Sequence, residues 1–352
     1  MNSNQKFVGY VGTYTKSESK GVYQFTLDTE KERITDVKPV AELGNPTYLA
    51  ISEDNKNLYA VVKEGNLGGI SVFAINENGE LQKLNDQLIE GASPCHISVD
   101  SKKQNIVTAN YHKGTIELYK IDDENGFASV AKSVMQHEGT GPNKERQEKP
   151  HAHYSGYTLN EKYVAAIDLG IDQLVTYKIE DNSLVEVSSL SVKPGSGPRH
   201  ITFHPNGKFA YIMTELSSEV IALQFNEENG SFTELQYVST IPSDFTENNQ
   251  GSAIHISKDG QFVYAGNRGH NSIAVFSVNQ DTGKLELVEI TSSEGNWPRD
   301  FVLDPSENYL VGSNEMSGTL VLYSRNNTTG KLTAIQTDVQ VPEAVCVKFL
   351  NA

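Results

Sequence analysis

The 352-residue sequence predicts an all-β fold: a seven-bladed β-propeller with four antiparallel strands in each blade. Three observations carry this expectation. A unit of roughly fifty residues recurs along the whole chain, a period typical of propellers and other repeat arrays. Each unit holds four short runs in which Val, Ile, Tyr and Phe alternate with polar residues between Gly, Asn and Asp turns, which is a strand signal of period two. One copy is divided between the two ends of the sequence, so the last strand can pair with the first three and close the ring without an open edge.

In chain order, KFVGYVGTYT, GVYQFTL and ITDVKPV read as three strands of the divided blade. Complete units follow, beginning GNPTYLAIS at Gly44, SPCHISVD at Ser93, KPHAHYSG at Lys149, GPRHITFHP at Gly197, GSAIHIS at Gly251 and WPRDFVLDP at Trp297. Each then shows a second strand such as NLYAVVKEG, a third such as TIELYKI, and a glycine that opens the fourth. That glycine acts as a ruler: Gly79 to Gly126 is 47 residues, Gly230 to Gly283 is 53, and Gly283 to Gly330 is 47. VPEAVCVKFL at the C-terminus matches only an opening strand and supplies what the N-terminal copy lacks. The expected organisation is a single propeller domain over residues 1–352, because blades bury their apolar faces only against neighbours. The lone Trp297 stands before an opening strand, which argues against the WD40 type.

Bulk composition excludes several functions. The formal net charge of −16 is opposite to the basic footprint of a nucleic-acid binder and opposes adsorption to anionic membranes. No apolar run is long enough for a spanning helix, and MNSNQKFVGYVGTYT lacks the basic and apolar regions of a secretory signal. A cytoplasmic location is therefore expected, with Cys95 and Cys346 as free thiols. No Cys/His spacing suggests zinc, no dinucleotide fingerprint is present, and no GxSxG elbow supports a covalent serine mechanism. Neither a cofactor nor a metal is expected, and the oligomeric state is left open.

Blade geometry says which side chains meet. The start of each first strand and the end of each second strand lie on one face of the disc, around one mouth of the axial channel. The first column reads Thr47, Cys95, His153, Arg199, Ser252, Arg299 and Glu343. The second reads Lys63, Tyr111, Leu169, Glu215, Arg268 and Glu315, preceded by Asn110, Asp168, Thr214, Asn267 and Asn314. His151 and His200 flank the first column, and Tyr14 ends the second strand of the divided blade. Packing positions would repeat similar apolar residues; these columns instead change from blade to blade, as functional positions do. Arg199, Arg268 and Arg299 converging in an acidic chain suit an anionic ligand, since guanidinium forks match phosphate and carboxylate. Two long polar connections, AKSVMQHEGTGPNKERQEKP and IPSDFTENNQG, are placed to cover that mouth.

The motifs GTYT, PHAH, GPRHITFHPNGK, TELS and GNRGHNSI resemble the lactonase family of seven-bladed propellers, which includes cycloisomerase-type 6-phosphogluconolactonases and carboxymuconate lactonising enzymes. The likeness spans essentially the whole chain. It implies a site of one His, two Arg and one Glu: Arg199 from GPRH, Glu215 from TELS, Arg268 from GNRG, and either His151 or His153 from PHAH. It also implies a hydrolase that opens 6-phosphoglucono-δ-lactone, a step of the pentose phosphate pathway, with a small anionic phosphorylated sugar lactone as partner. Arg299, His200, Asn267, Asp168 and Tyr14 are further candidates for substrate binding. The alternatives are a lactonase or cycloisomerase acting on another anionic sugar lactone or a muconolactone, and a non-catalytic scaffold. Replacing Arg199 or Glu215 by Ala is expected to abolish lactonase activity with little effect on thermal unfolding.

Overall fold

A computed structural model describes residues 5–122 and 124–352. The described residues form twenty-eight strands in seven four-stranded antiparallel sheets. The blade at the seam orders β28 (Ala344–Phe349), β1 (Lys6–Thr13), β2 (Gly21–Asp28) and β3 (Arg33–Glu42) from the axis outward. Gly9, Tyr10 and Val11 pair with Phe349, Lys348 and Val347, so the two chain ends meet in one sheet as the divided repeat requires.

The other innermost strands are β4 (Leu49–Ile51), β8 (His96–Val99), β12 (Ala152–Tyr157), β16 (Pro198–Phe203), β20 (Gln250–Ile256) and β24 (Pro298–Leu303). Each pairs with a second strand: β5 (Asn57–Glu64), β9 (Asn105–Asn110), β13 (Val164–Asp168), β17 (Phe209–Thr214), β21 (Phe262–Arg268) and β25 (Tyr309–Asn314). These second strands are almost entirely buried, whereas the outermost strands alternate buried and exposed residues. The hydrophobic core is correspondingly divided into seven clusters, one between each adjacent pair of blades. Phe25 and Leu27, for example, pack on Val311 and Leu322 across the seam. Burying a side chain of this kind contributes about 1.5–3 kcal/mol, so closure is stabilised by packing as well as by pairing.

The structure also explains the glycine ruler. Tyr211 donates its hydroxyl to the carbonyl of Gly283 at 3.0 Å, and Tyr264 does the same to Gly330 at 2.9 Å. These glycines have φ of 69° and 74°, a left-handed conformation that Gly adopts freely. A Cβ there would fall 2.4 Å from a Phe209 ring atom at Gly283 and 2.3 Å from a Phe262 ring atom at Gly330. Each glycine thus lets one blade's turn lie flat on an aromatic ring of its neighbour.

Candidate active site

The chemistry-bearing side chains leave the inner strands at β-bulges. In β12, Ala152 pairs with Asp168 and Tyr154 with Ile167, which leaves His153 as an extra residue. Arg199 stands unpaired in the same way between Pro198 and His200, and Arg299 between Pro298 and Asp300. A bulge bends its strand and re-aims the extra side chain. Repeated around the axis, it brings residues from several blades to one mouth.

Glu215 follows β17 at this mouth and is only 3% exposed. Its Oε2 accepts from Arg268 Nη2 at 2.6 Å and from Arg199 Nε at 3.1 Å, while Oε1 accepts from Arg146 Nη2. The two deeper arginines are braced by backbone: Arg199 Nη1 donates to the Ser252 carbonyl at 2.8 Å, and Arg268 Nη2 to that of Gly251 at 2.7 Å. Above this cluster lies a cavity of about 330 Å³, lined among others by Tyr14, Tyr111, Arg146, His153, Arg268 and Arg299. Arg299 stacks over the Tyr14 ring at 5.1 Å and donates to Glu315 at 3.2 Å. Four guanidiniums therefore face two carboxylates, an excess of two positive charges in a chain of net charge −16.

Protonation states follow from this packing. Burial works against ionisation of Glu215, but Arg268, Arg199 and Arg146 outweigh it and hold its carboxyl well below the usual range. Burial, reinforced by Arg199, pushes His153 well below the ordinary imidazole value, so it is neutral at physiological pH. Burial and then Arg268 lower Arg199 to about 10, which still leaves it charged. Burial pushes the Cys95 thiol on the cavity wall up to about 12, so it is no nucleophile at neutral pH. Among the described residues, His153 Nδ1 and Arg268 Nε are buried in this cluster without a protein partner. Unpaired buried polar groups are costly, and here they belong to residues that line the cavity.

Of the ten candidate side chains, His153, Glu215, Arg268, Arg299 and Tyr14 line the cavity, and Arg199 lies directly behind Glu215. The other four lie elsewhere. His151 stacks on Tyr111 at 4.2 Å; its Nδ1 faces the Tyr111 carbonyl and its Nε2 the Glu148 carboxylate. The bulge separates the two histidines of PHAH in space: His153 turns to the channel while His151 packs between blades. We expect His151→Asn to keep kcat/KM within about fivefold, whereas loss of His153 does not, a contrast that steady-state assays would check. His200 resumes regular pairing after the bulge and lines the opposite end of the channel. Asp168 and Asn267 tie loops together. Asp168 accepts from the His151 amide at 2.8 Å and meets His137 Nδ1 at 2.7 Å; Asn267 donates to the Thr240 carbonyl at 2.9 Å and accepts from the Thr240 hydroxyl at 2.7 Å. Asn314 plays the same part with Ser293 at 3.0 Å, so this column is a structural brace.

Arg146 is the residue that the column reading missed. It comes from the first long connection, residues 131–150, of which 131–136 complete the outer strand Ala128–Gln136 and only 137–150 cross the mouth. The fully buried Gln147 anchors that crossing by donating to the Leu169 carbonyl at 2.9 Å. The arginine in KERQ was visible, but nothing periodic marked its target. The second long connection runs beside the mouth, where Asn249 donates to Ser218 and Asn267; Gln250, at the start of β20, reaches the cavity.

A seven-bladed ring with an arginine-bound carboxylate at one mouth defines a recognisable class. The model of the lactonase family, described as a 7-bladed β-propeller, matches residues 8–349, and the chain belongs to that family. It is 55% identical over 347 residues to the 6-phosphogluconolactonase of Bacillus subtilis strain 168, covering 98% of this chain and 99% of the relative. A crystal structure of a Lactobacillus plantarum protein superposes with a TM-score of 0.94 at 43% identity, covering 98% of this chain and all of that one. The periplasmic gluconolactonase of Pseudomonas aeruginosa superposes at 0.92 with 26% identity, covering 98% and 99% of the two chains.

Proposed function

We propose that the chain hydrolyses 6-phosphoglucono-δ-lactone to 6-phosphogluconate at the arginine-lined mouth. The observation that carries this reading is the depth gradient of the cavity. Arg199 and Arg268 are almost fully buried around Glu215, whereas the Arg146 side chain is 32% exposed and that of Arg299 18%. The reactive end of a phosphorylated lactone fits the deep part and its phosphate the outer part. The full-length similarity to a 6-phosphogluconolactonase supports the same substrate.

In this mechanism water attacks the lactone carbonyl carbon, and neutral His153 accepts the proton lost by the water. The carbonyl oxygen gains negative charge, which the Arg268 guanidinium stabilises with its unpartnered Nε–H. Collapse of the tetrahedral intermediate breaks the ring C–O bond. The departing ring oxygen takes the proton back from His153, leaving a hydroxyl and a carboxylic acid, and the acid then loses its proton to solvent as the carboxylate. Glu215 stays ionised and acts by fixing Arg146, Arg199 and Arg268 in place. No step calls for a cofactor. The phosphate is gripped by Arg299 and Arg146. Under this reading the substrate pool places the enzyme in the cytoplasm; among the described residues no helix is long and apolar enough to cross a membrane.

The test is a proton-release assay on freshly generated lactones. We expect kcat/KM for the phosphorylated lactone to exceed that for glucono-δ-lactone by about 10–100-fold, the worth of one or two charge-assisted contacts. Equal values would assign the site to another anionic lactone or to a cycloisomerase reaction, and no turnover of any lactone would leave a scaffold. Arg146→Ala should raise KM for the phosphorylated lactone by about tenfold and leave its KM for the unphosphorylated one within about twofold. A uniform loss of kcat for both would instead place Arg146 with the chemistry.

A further inference from the structure

The axial channel has a second cavity, of about 320 Å³, at the opposite mouth. The two cavities meet back to back where the His153 and His200 rings lie 5.2 Å apart. The second is built from the middles of the inner strands rather than from their ends. Tyr48, His96, Tyr154, His200, His255 and Lys348 supply its polar wall. The mechanism above uses none of them.

The wall is rich in donors. His96 is sandwiched between Tyr48 and Tyr154, both at 4.2 Å between ring centres, so the aromatic faces are spent on one another and the polar edges remain. His96 Nδ1 accepts the Ser155 amide at 3.4 Å, which leaves the proton of a neutral ring on Nε2. His200 is 6% exposed, and its Nε2 is buried without a partner. Lys348 bonds the Tyr48 hydroxyl at 3.3 Å and lies 4.6 Å above the Tyr48 ring. Among the described residues its ammonium forms no ion pair, and no carboxylate lines the cavity. The nearby Asp300 is committed elsewhere: Oδ2 accepts the Val347 amide at 3.0 Å, and Oδ1 faces His255 Nε2 at 3.5 Å. Lys348 forms no direct ion pair among the described residues, although the Asp300 carboxylate is near enough to act on its charge, and beside it the unpartnered buried His200 imidazole is the costly group in an unliganded protein. An acceptor-only ligand would bond both.

We propose that the mouth opposite the arginine cluster is a second ligand site, which takes a small oxyanion of the phosphate type on Lys348, His96 and His200. Inorganic phosphate and the phosphate group of a small ester share the chemistry that this wall recognises.

Crystals of the full chain soaked in selenate test the site directly. The expected result is an anomalous selenium peak within hydrogen-bond reach of Lys348 Nζ and His200 Nε2, separate from any peak at the arginine mouth. Lys348→Met should remove that peak, and Lys348→Arg should keep it. In solution, Lys348→Met should weaken the corresponding anion binding by at least about tenfold while lactonase activity stays within about twofold, because the residue lies outside the reacting centre. Displacement of selenate by inorganic phosphate would identify the free ion as ligand; displacement only by glucose 6-phosphate would identify a phosphate ester. A wild-type peak confined to the arginine mouth, no peak at all, or a peak that survives in Lys348→Met would overturn the proposal. The wild-type and Lys348→Arg crystals decide the matter even if Lys348→Met does not fold.

Discussion

Glu215→Gln should lower kcat/KM for the phosphorylated lactone by about 10²–10³-fold, comparable to the loss of a main electrostatic contact in a preorganised site. It should also destabilise the fold by about 3–5 kcal/mol, the usual cost of removing one partner from a buried ion pair. The carboxylate is the common acceptor of Arg146, Arg199 and Arg268. Without its charge, Arg199 and Arg268 are left buried side by side with like charge. The expectation that replacing Glu215 by Ala would hardly touch thermal unfolding does not fit the structure for the same reason. It would suit a residue on a solvated rim, and Glu215 is not one. The pH dependence has a definite sign. The folded-state carboxyl is held below its unfolded value of 4.5, so its stabilising contribution is present above that pH and is lost as pH falls towards the folded value. Chemical denaturation of the wild type between about pH 7 and pH 3 should show this loss, and Glu215→Gln should lack that part of it. Melting of the variant at the wild-type temperature would remove Glu215 from its central place.

His153→Asn should cost about 10²–10⁴-fold in kcat/KM, the range for a positioned general base. Because burial and Arg199 keep the imidazole neutral, the wild-type kcat/KM should be nearly flat across neutral pH. Its acid limb should lie well below 6.5, where a solvated histidine would have put it. A limb at the ordinary histidine value would mean that a different, exposed group provides the base. Unlike Glu215, His153 holds no charged partner in place, so its replacement should disturb stability far less than its effect on rate implies.

The ring, its seam and the facing columns were legible because a propeller writes its geometry as a period. The alternation of GVYQFTL, the glycine ruler and the orphan VPEAVCVKFL each have one structural meaning when taken together. The column reading also found Glu215, Arg268 and Arg299, because departures from a repeat stand out against it. The column held His153 and Arg199, but the PHAH likeness kept His151 open as well, and His200 stayed a binding candidate beside Arg199. Those choices depend on one-residue bulges between Ala152 and Tyr154 and between Pro198 and His200, and a bulge leaves no mark in an alternating pattern. Asp168 and Asn267 misled for a related reason. A polar residue that repeats one place before the site looks functional, yet it braces the loops at Thr240 and His137. Arg146 was hidden because it lies in a connection outside the period, where only tertiary contact decides its partner.

The most direct test is a crystal structure of the chain with 6-phosphogluconate at saturating concentration. We expect the product's phosphate on Arg146 and Arg299 and its carboxylate at Arg268, beside His153. An arginine-lined mouth that stays empty under those conditions, or product bound there with its phosphate at the deep end, would contradict the assignment of this cavity as the lactone site.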